Sequence, residues 1–151
     1  MSKQKQFAAL RIVFGFVWLI DAYFKWQPKF FTDFITYLNS GAEGQSSLVQ
    51  SWINLWIKLV GVNPHLFAIL TAITETLIAV ALIVGIFPRL VSFGGIAFSL
   101  VIWSTAEGFG GPYSAGSTDI GAAIIYVLVF IALLLGGAWN ELRLIPKSKS
   151  R

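Results

Sequence analysis

The sequence predicts an all-α integral membrane protein: a four-helix bundle with an outer loop of one or two amphipathic helices between spans 1 and 2. Three observations predict it. Hydrophobic residues make up 56% of the 151 residues and charged residues only 12%, where about 25% charged is usual in a soluble domain. Four apolar stretches reach the roughly 17–25 residues that a helix needs to cross hydrocarbon. One intervening segment, residues 26–62, is too polar to cross and too apolar to be disordered. The whole chain, residues 1–151, reads as one transmembrane domain.

Span 1 covers about residues 7–23 and follows Lys3 and Lys5. It begins like a signal peptide, but Tyr23, Phe24 and Trp26 follow its apolar part instead of a small-residue cleavage site, so it reads as a retained helix. In the loop at residues 26–62, Phe30, Phe31, Phe34, Tyr37 and Leu38 recur at helical spacing, as do Leu48, Trp52, Leu55, Trp56 and Leu59. These two amphipathic segments, jointed at residues 41–45, either lie on the outer membrane surface or cap the bundle. Span 2, about 64–87, opens on Pro64, which suits a first helical turn, and is stopped by Pro88. Span 3, about 90–106, runs into the glycine-rich GFGGPYSAG. Span 4, about 118–139, has Ser117, Thr118 and Asp119 as capping candidates and closes at Gly136 and Gly137.

With the N-terminus inside, Lys3, Lys5, Arg11, Arg89, Arg143, Lys147, Lys149 and Arg151 are cytoplasmic, and Lys25, Lys29 and Lys58 are outside, eight against three. The positive-inside rule then predicts both termini in the cytoplasm, and the expected location is multi-pass in a prokaryotic plasma membrane. Tyr23, Trp26, Trp103 and Trp139 fall near span ends, as interfacial anchors do.

With no cysteine, one histidine and only the initiator methionine, the chain cannot build a disulfide, a thiolate nucleophile, an iron–sulfur cluster or a bis-ligated haem by itself. His65 has no E-x-x-H companion, so no metal site is expected. No basic helix points to nucleic acid.

Charges inside hydrocarbon are costly and usually functional. Arg11, Phe14, Trp18, Asp21 and Lys25 share one face of span 1 by their spacing. Asp21 and Lys25 either form a local ion pair, acid first, or belong to a site. Glu75 sits mid-span on a face with His65, Ala68, Ala72 and Ala79. It is either a proton acceptor or ligand contact, or one half of a salt bridge with Arg11 or Lys25. Asp119 is an N-cap or, with Tyr126 seven residues on, part of a site. The topology gathers Asp21, Lys25, His65, Glu107 and Asp119 at the outer end, with Glu75 about 15 Å below His65 by helical rise. The expectation is a polar pocket that opens outward.

The segment RIVFGFVWLIDAYFKW, with Arg11, Gly15 and Lys25, resembles the opening of the DoxX superfamily of small four-helix membrane proteins. ETLIAVALIVGIFPRL, with Glu75, Gly85 and Arg89, resembles that family's second span. TAEGFGGPYSAGSTDIGAAIIY is similar to the DoxD branch, the membrane subunit of thiosulfate:quinone oxidoreductase. The resemblance implies a quinone-linked oxidoreductase subunit in which electrons from thiosulfate reach quinone. Together with the predicted pocket, this leads to the expectation of Glu75, Asp21 and Lys25 as catalytic groups, and of Arg11, His65, Glu107, Asp119 and Tyr126 as ligand contacts. Quinone would be the redox partner, with a DoxA-like subunit beside this chain and a homo-oligomer open. The alternative is a non-enzymatic membrane module that binds a small ligand, lipid or partner complex in transport or assembly.

Overall fold

The computed structural model describes residues 2–137, and all of its regular structure among those residues is helical. Six helices follow in order: α1 Lys3–Lys25, α2 Pro28–Ala42, α3 Ser47–Gly61, α4 Pro64–Val84, α5 Pro88–Ser104 and α6 Ala122–Gly136. A tight turn at Gly108–Gly110 interrupts the α5–α6 connection.

The helix boundaries follow from local chemistry. Pro28, Pro64 and Pro88 open α2, α4 and α5, where a residue without an N–H leaves no donor unpaired. The Asn63 side chain accepts from the Leu66 N–H at 3.0 Å and caps α4. The same helix stops at Gly85, whose φ of 83° is left-handed and natural for glycine. That places the end of α4 at Val84, three residues before the expected Phe87, and makes Pro88 the first residue of α5 rather than only a stop signal.

The start of α6 is a second correction. Ser117, Thr118 and Asp119 lie in the preceding loop, and the Asp119 carboxylate accepts from the Gly121 N–H at 2.8 Å in a local turn. Residues 138 and 139 of the expected fourth span, and Trp139 as an anchor, lie outside the described residues.

Two helices, α1 and α4, are long and apolar enough to cross a membrane. They pack against each other more extensively than any other pair, with α5 on α6 next. Lipid is as apolar as leucine, so such contacts depend on close approach by small residues. Ala68, Ala72 and Ala79 on α4 are fully buried. On α1, a Cβ at Gly15 would stand 2.7 Å from the Ile83 side chain. The core joins Phe14 and Trp18 of α1 to Ile78, Ala79 and Leu82 of α4 and to Phe130 and Leu133 of α6. The two helix pairs meet less closely along α4 and α5, and a gap opens there.

The segment between α1 and α4 forms a helical hairpin, α2 against α3, seated on α4. Its joint is held in place. Gly41 meets the backbone of Thr105 and Ala106 so closely that a Cβ there would overlap the Thr105 carbonyl. The Gln45 side-chain amide donates to the Gly108 carbonyl at 2.9 Å. The GAEGQ stretch, read from sequence as a joint, thus fastens the hairpin to the loop after α5.

Candidate functional site

A cavity of about 580 Å³ fills the gap beneath the hairpin, between α1, α4 and α5. That volume falls in the range of small-molecule sites. Phe30 and Phe34 of α2, Trp56 of α3, Phe67 of α4 and Phe98 of α5 supply aromatic walls. The charged lining groups are Lys25, Glu75 and Glu107. The expected polar pocket is therefore corrected: the cavity is mainly apolar, because the hairpin turns its aromatic face inward onto it.

Glu75 is 2% exposed, and Lys25 Nζ stands 3.5 Å from its Oε2. The ammonium also lies 5.5 Å from the centre of the Phe30 ring, a cation–π distance. Lys25 therefore turns to Glu75 and not to Asp21 four residues before it. Asp21 instead accepts the Tyr126 hydroxyl at 2.7 Å, joining α1 to α6. The Trp26 indole donates to Thr76 Oγ1 at 3.0 Å and fixes the end of α1 beside α4. These cross-links hold the Lys25 and Glu75 side chains in one place.

Glu107 has two roles. It lines the cavity, and its carboxylate oxygens accept the Ala123 N–H at 3.2 and 3.1 Å. It therefore caps α6 from another element, meeting both the unpaired donors and the positive end of the helix dipole. Burial raises the Glu107 carboxyl above its ordinary value of 4.5, and the bonds from the α6 backbone oppose that rise only in part. The folded form thus favours the protonated group, so this residue's contribution falls as pH rises through the window above the ordinary carboxylate value. Glu107→Gln keeps an acceptor without the charge and should remove that pH dependence. Glu107→Ala leaves the N–H unmet and should cost about 1 kcal/mol, the usual loss for a missing cap. Thermal unfolding in detergent between about pH 4 and pH 8 reads both.

The remaining sequence candidates fall elsewhere. Arg11 is 1% exposed, and its guanidinium lies against Gly85, at the negative end of α4. His65 is exposed and packs its ring 5.5 Å from that of Phe31. Asp119 is exposed in the loop before α6. Tyr126 and Asp21 lie beside the cavity but do not line it. Among the described residues, no group of three or more His, Asp or Glu side chains is arranged to hold a metal ion.

Sequence reasoning missed Trp56, which lines the cavity and whose indole N–H is buried without a hydrogen-bond partner. It also missed Gly41 and Gly108, whose close approach seats the hairpin. Trp56 carried a signal in its apolar spacing, but spacing cannot tell which of two apolar faces turns inward.

Residues 7–108, more than half of the chain, match the DoxX family. The chain belongs to the DoxX family, a family of membrane proteins. No curated protein and no solved structure matches it. The DoxX match begins in α1 and ends at Gly108, so it includes every residue that lines the cavity. Most of the segment that resembles the DoxD branch, residues 105–126, lies beyond it.

Proposed function

We propose that this DoxX protein is the quinone-binding membrane subunit of an oxidoreductase, with the cavity under the α2–α3 hairpin as the quinone site. The observation that carries the reading is the Lys25–Glu75 ion pair in a mainly apolar cavity with aromatic walls. A quinone ring is flat, apolar and neutral, with two carbonyl acceptors. Phe30, Phe34, Phe67 and Phe98 offer faces for such a ring, and the unpartnered Trp56 N–H and the Lys25 ammonium offer donors.

When bound, quinone supplies a two-electron, two-proton acceptor. Lys25 orients a carbonyl oxygen by hydrogen bonding and opposes the negative charge that reduction brings. The Lys25 ammonium would give a proton to that oxygen, and the Glu75 carboxylate paired with it would take up the protons that replace it. In the same reading, α1, α4, α5 and α6 each cross the plasma membrane as a four-helix bundle with both termini cytoplasmic.

Lys25 is poorly placed to hold an anionic sulfur substrate such as thiosulfate. Its charge is already met by Glu75, with the Glu107 carboxylate on the same cavity, so a second anion would be repelled there. We therefore assign oxidation of thiosulfate to a DoxA-like partner subunit. Two thiosulfates become one tetrathionate, and the two electrons released, with two protons, convert quinone to quinol.

The test is thiosulfate-dependent reduction of a short-chain quinone in proteoliposomes holding this chain and its partner. Glu75→Gln should lower the rate at least tenfold, the order expected for loss of a proton-transfer group. No reduction with or without the partner, or co-purification of a tightly held lipid in the cavity, would instead favour the non-enzymatic ligand-binding module.

A further inference from the structure

Helix α3 carries three stripes where an ordinary amphipathic helix carries two. Ile53 and Val60 are buried, and Trp56 on the same side faces the cavity. One residue earlier in each turn lies a second apolar stripe, Leu48, Trp52, Leu55, Leu59 and Val62, and all five are exposed, Leu48 at 80% and Leu55 at 60%. One residue earlier again, Ser47, Ser51, Asn54 and Lys58 form an exposed polar stripe. Successive residues turn by about 100° on a helix, so the polar and exposed apolar stripes run side by side along the full length of α3.

A side facing only water would not hold five large apolar groups in a row. A protein partner would have to cover the apolar stripe and stop short at the polar one along every turn. The membrane interface presents such a boundary by its nature. The chain also supplies the anchor: Val62 leads through Asn63 into α4, a candidate span whose own exposed residues Leu66, Leu70, Ile73 and Leu77 are large and apolar. The neighbouring α2 differs, because Lys29, Thr32, Thr36 and Asn39 give its exposed side a polar stripe.

We infer that α3 lies in the membrane interface. The Leu48–Val62 stripe enters the acyl-chain region of the lipid, and Ser47, Ser51, Asn54 and Lys58 stay at headgroup level. The long Lys58 stem reaches along the helix while its ammonium remains in water or against an anionic headgroup. The hairpin is then both the cover of the cavity and a lipid-embedded element, with the two roles on different faces of one helix. This holds whatever ligand the cavity takes.

The chain has no native cysteine, so single spin labels can be placed without other changes. Asn54→Cys, Leu55→Cys, Lys58→Cys and Leu59→Cys are labelled in nanodiscs of phosphatidylethanolamine and phosphatidylglycerol. Collision rates with molecular oxygen and with a water-soluble nickel chelate are then measured. Labels at 55 and 59 should collide severalfold more with oxygen than with the chelate, and labels at 54 and 58 should show the reverse. Equal chelate access at all four positions would overturn the inference by making α3 a water-covered cap. Protection of 55 and 59 from both probes would overturn it by showing protein, a second copy or a partner, on that face. Every site is exposed, so folding is not at stake, and size-exclusion profiles verify it.

Discussion

Lys25→Met is expected to lower the unfolding free energy by about 3 kcal/mol, near the low end of the cost of severing a buried ion pair. The low end applies because Lys25 keeps 27% of its side chain exposed while Glu75 keeps 2%. The loss comes mainly from Glu75, a buried acid left without the cation beside it, which must then either bury an uncompensated charge or take up a proton. Adding Glu75→Leu to the same chain removes the stranded charge and should recover most of that stability, as apolar replacement of whole buried pairs often does. Reversible unfolding in mixed detergent measures the two variants and their coupling. If the pair belongs to the proposed quinone site, the double variant should be stable yet bind quinone at least tenfold more weakly.

Gly95→Leu should be as damaging by a different route. A Cβ at Gly95 would overlap the Phe130 ring. That ring is fully buried, and its centre lies 4.9 Å from Phe14 and 5.7 Å from Trp18. It has nowhere to turn, so α5 must separate from α6. Overpacking of this kind costs about 1–3 kcal/mol, occasionally more, and the upper part of that range is expected here. Loss of cooperative unfolding in a thermal scan, with helix content largely retained, is the signature. Gly94, next along the same helix, meets nothing within 4 Å, so Gly94→Leu serves as the neutral control.

The helices were the most legible part of the chain. Apolar content and proline positions define α1 and α4, because a span must satisfy its backbone internally and announces itself by length alone. Spacing also placed His65, Ala68, Ala72, Glu75 and Ala79 on one face; the last four are buried, and His65 at the start of α4 is exposed.

Partner choice was not legible. Both Arg11 and Lys25 could reach toward Glu75 on spacing, yet they stand about 21 Å apart along α1 by helical rise, and only the antiparallel register of α1 on α4 selects Lys25. The cap on α6 was hidden for a similar reason. A capping motif is sought immediately before the helix, whereas Glu107 lies 16 positions before Ala123 in the sequence.

In α3, two apolar stripes sit side by side, and a count of helical spacing merges them. Trp56 was thereby grouped with Leu55 and Leu59, although it faces the cavity and they face outward. His65 and Asp119 were drawn in by topology alone, since being at one end of a bundle does not bring side chains to one cavity.

We propose that the aromatic-walled cavity with Lys25 and Glu75 in its lining takes a quinone. The most direct test is titration of the purified protein in nanodiscs with a short-chain quinone, read by quenching of tryptophan fluorescence. Wild-type protein should saturate at a micromolar dissociation constant, and the Lys25→Met, Glu75→Leu double variant should bind at least tenfold more weakly while remaining folded. Binding that never saturates, or that is equal in the two proteins, would show that quinone does not occupy this cavity.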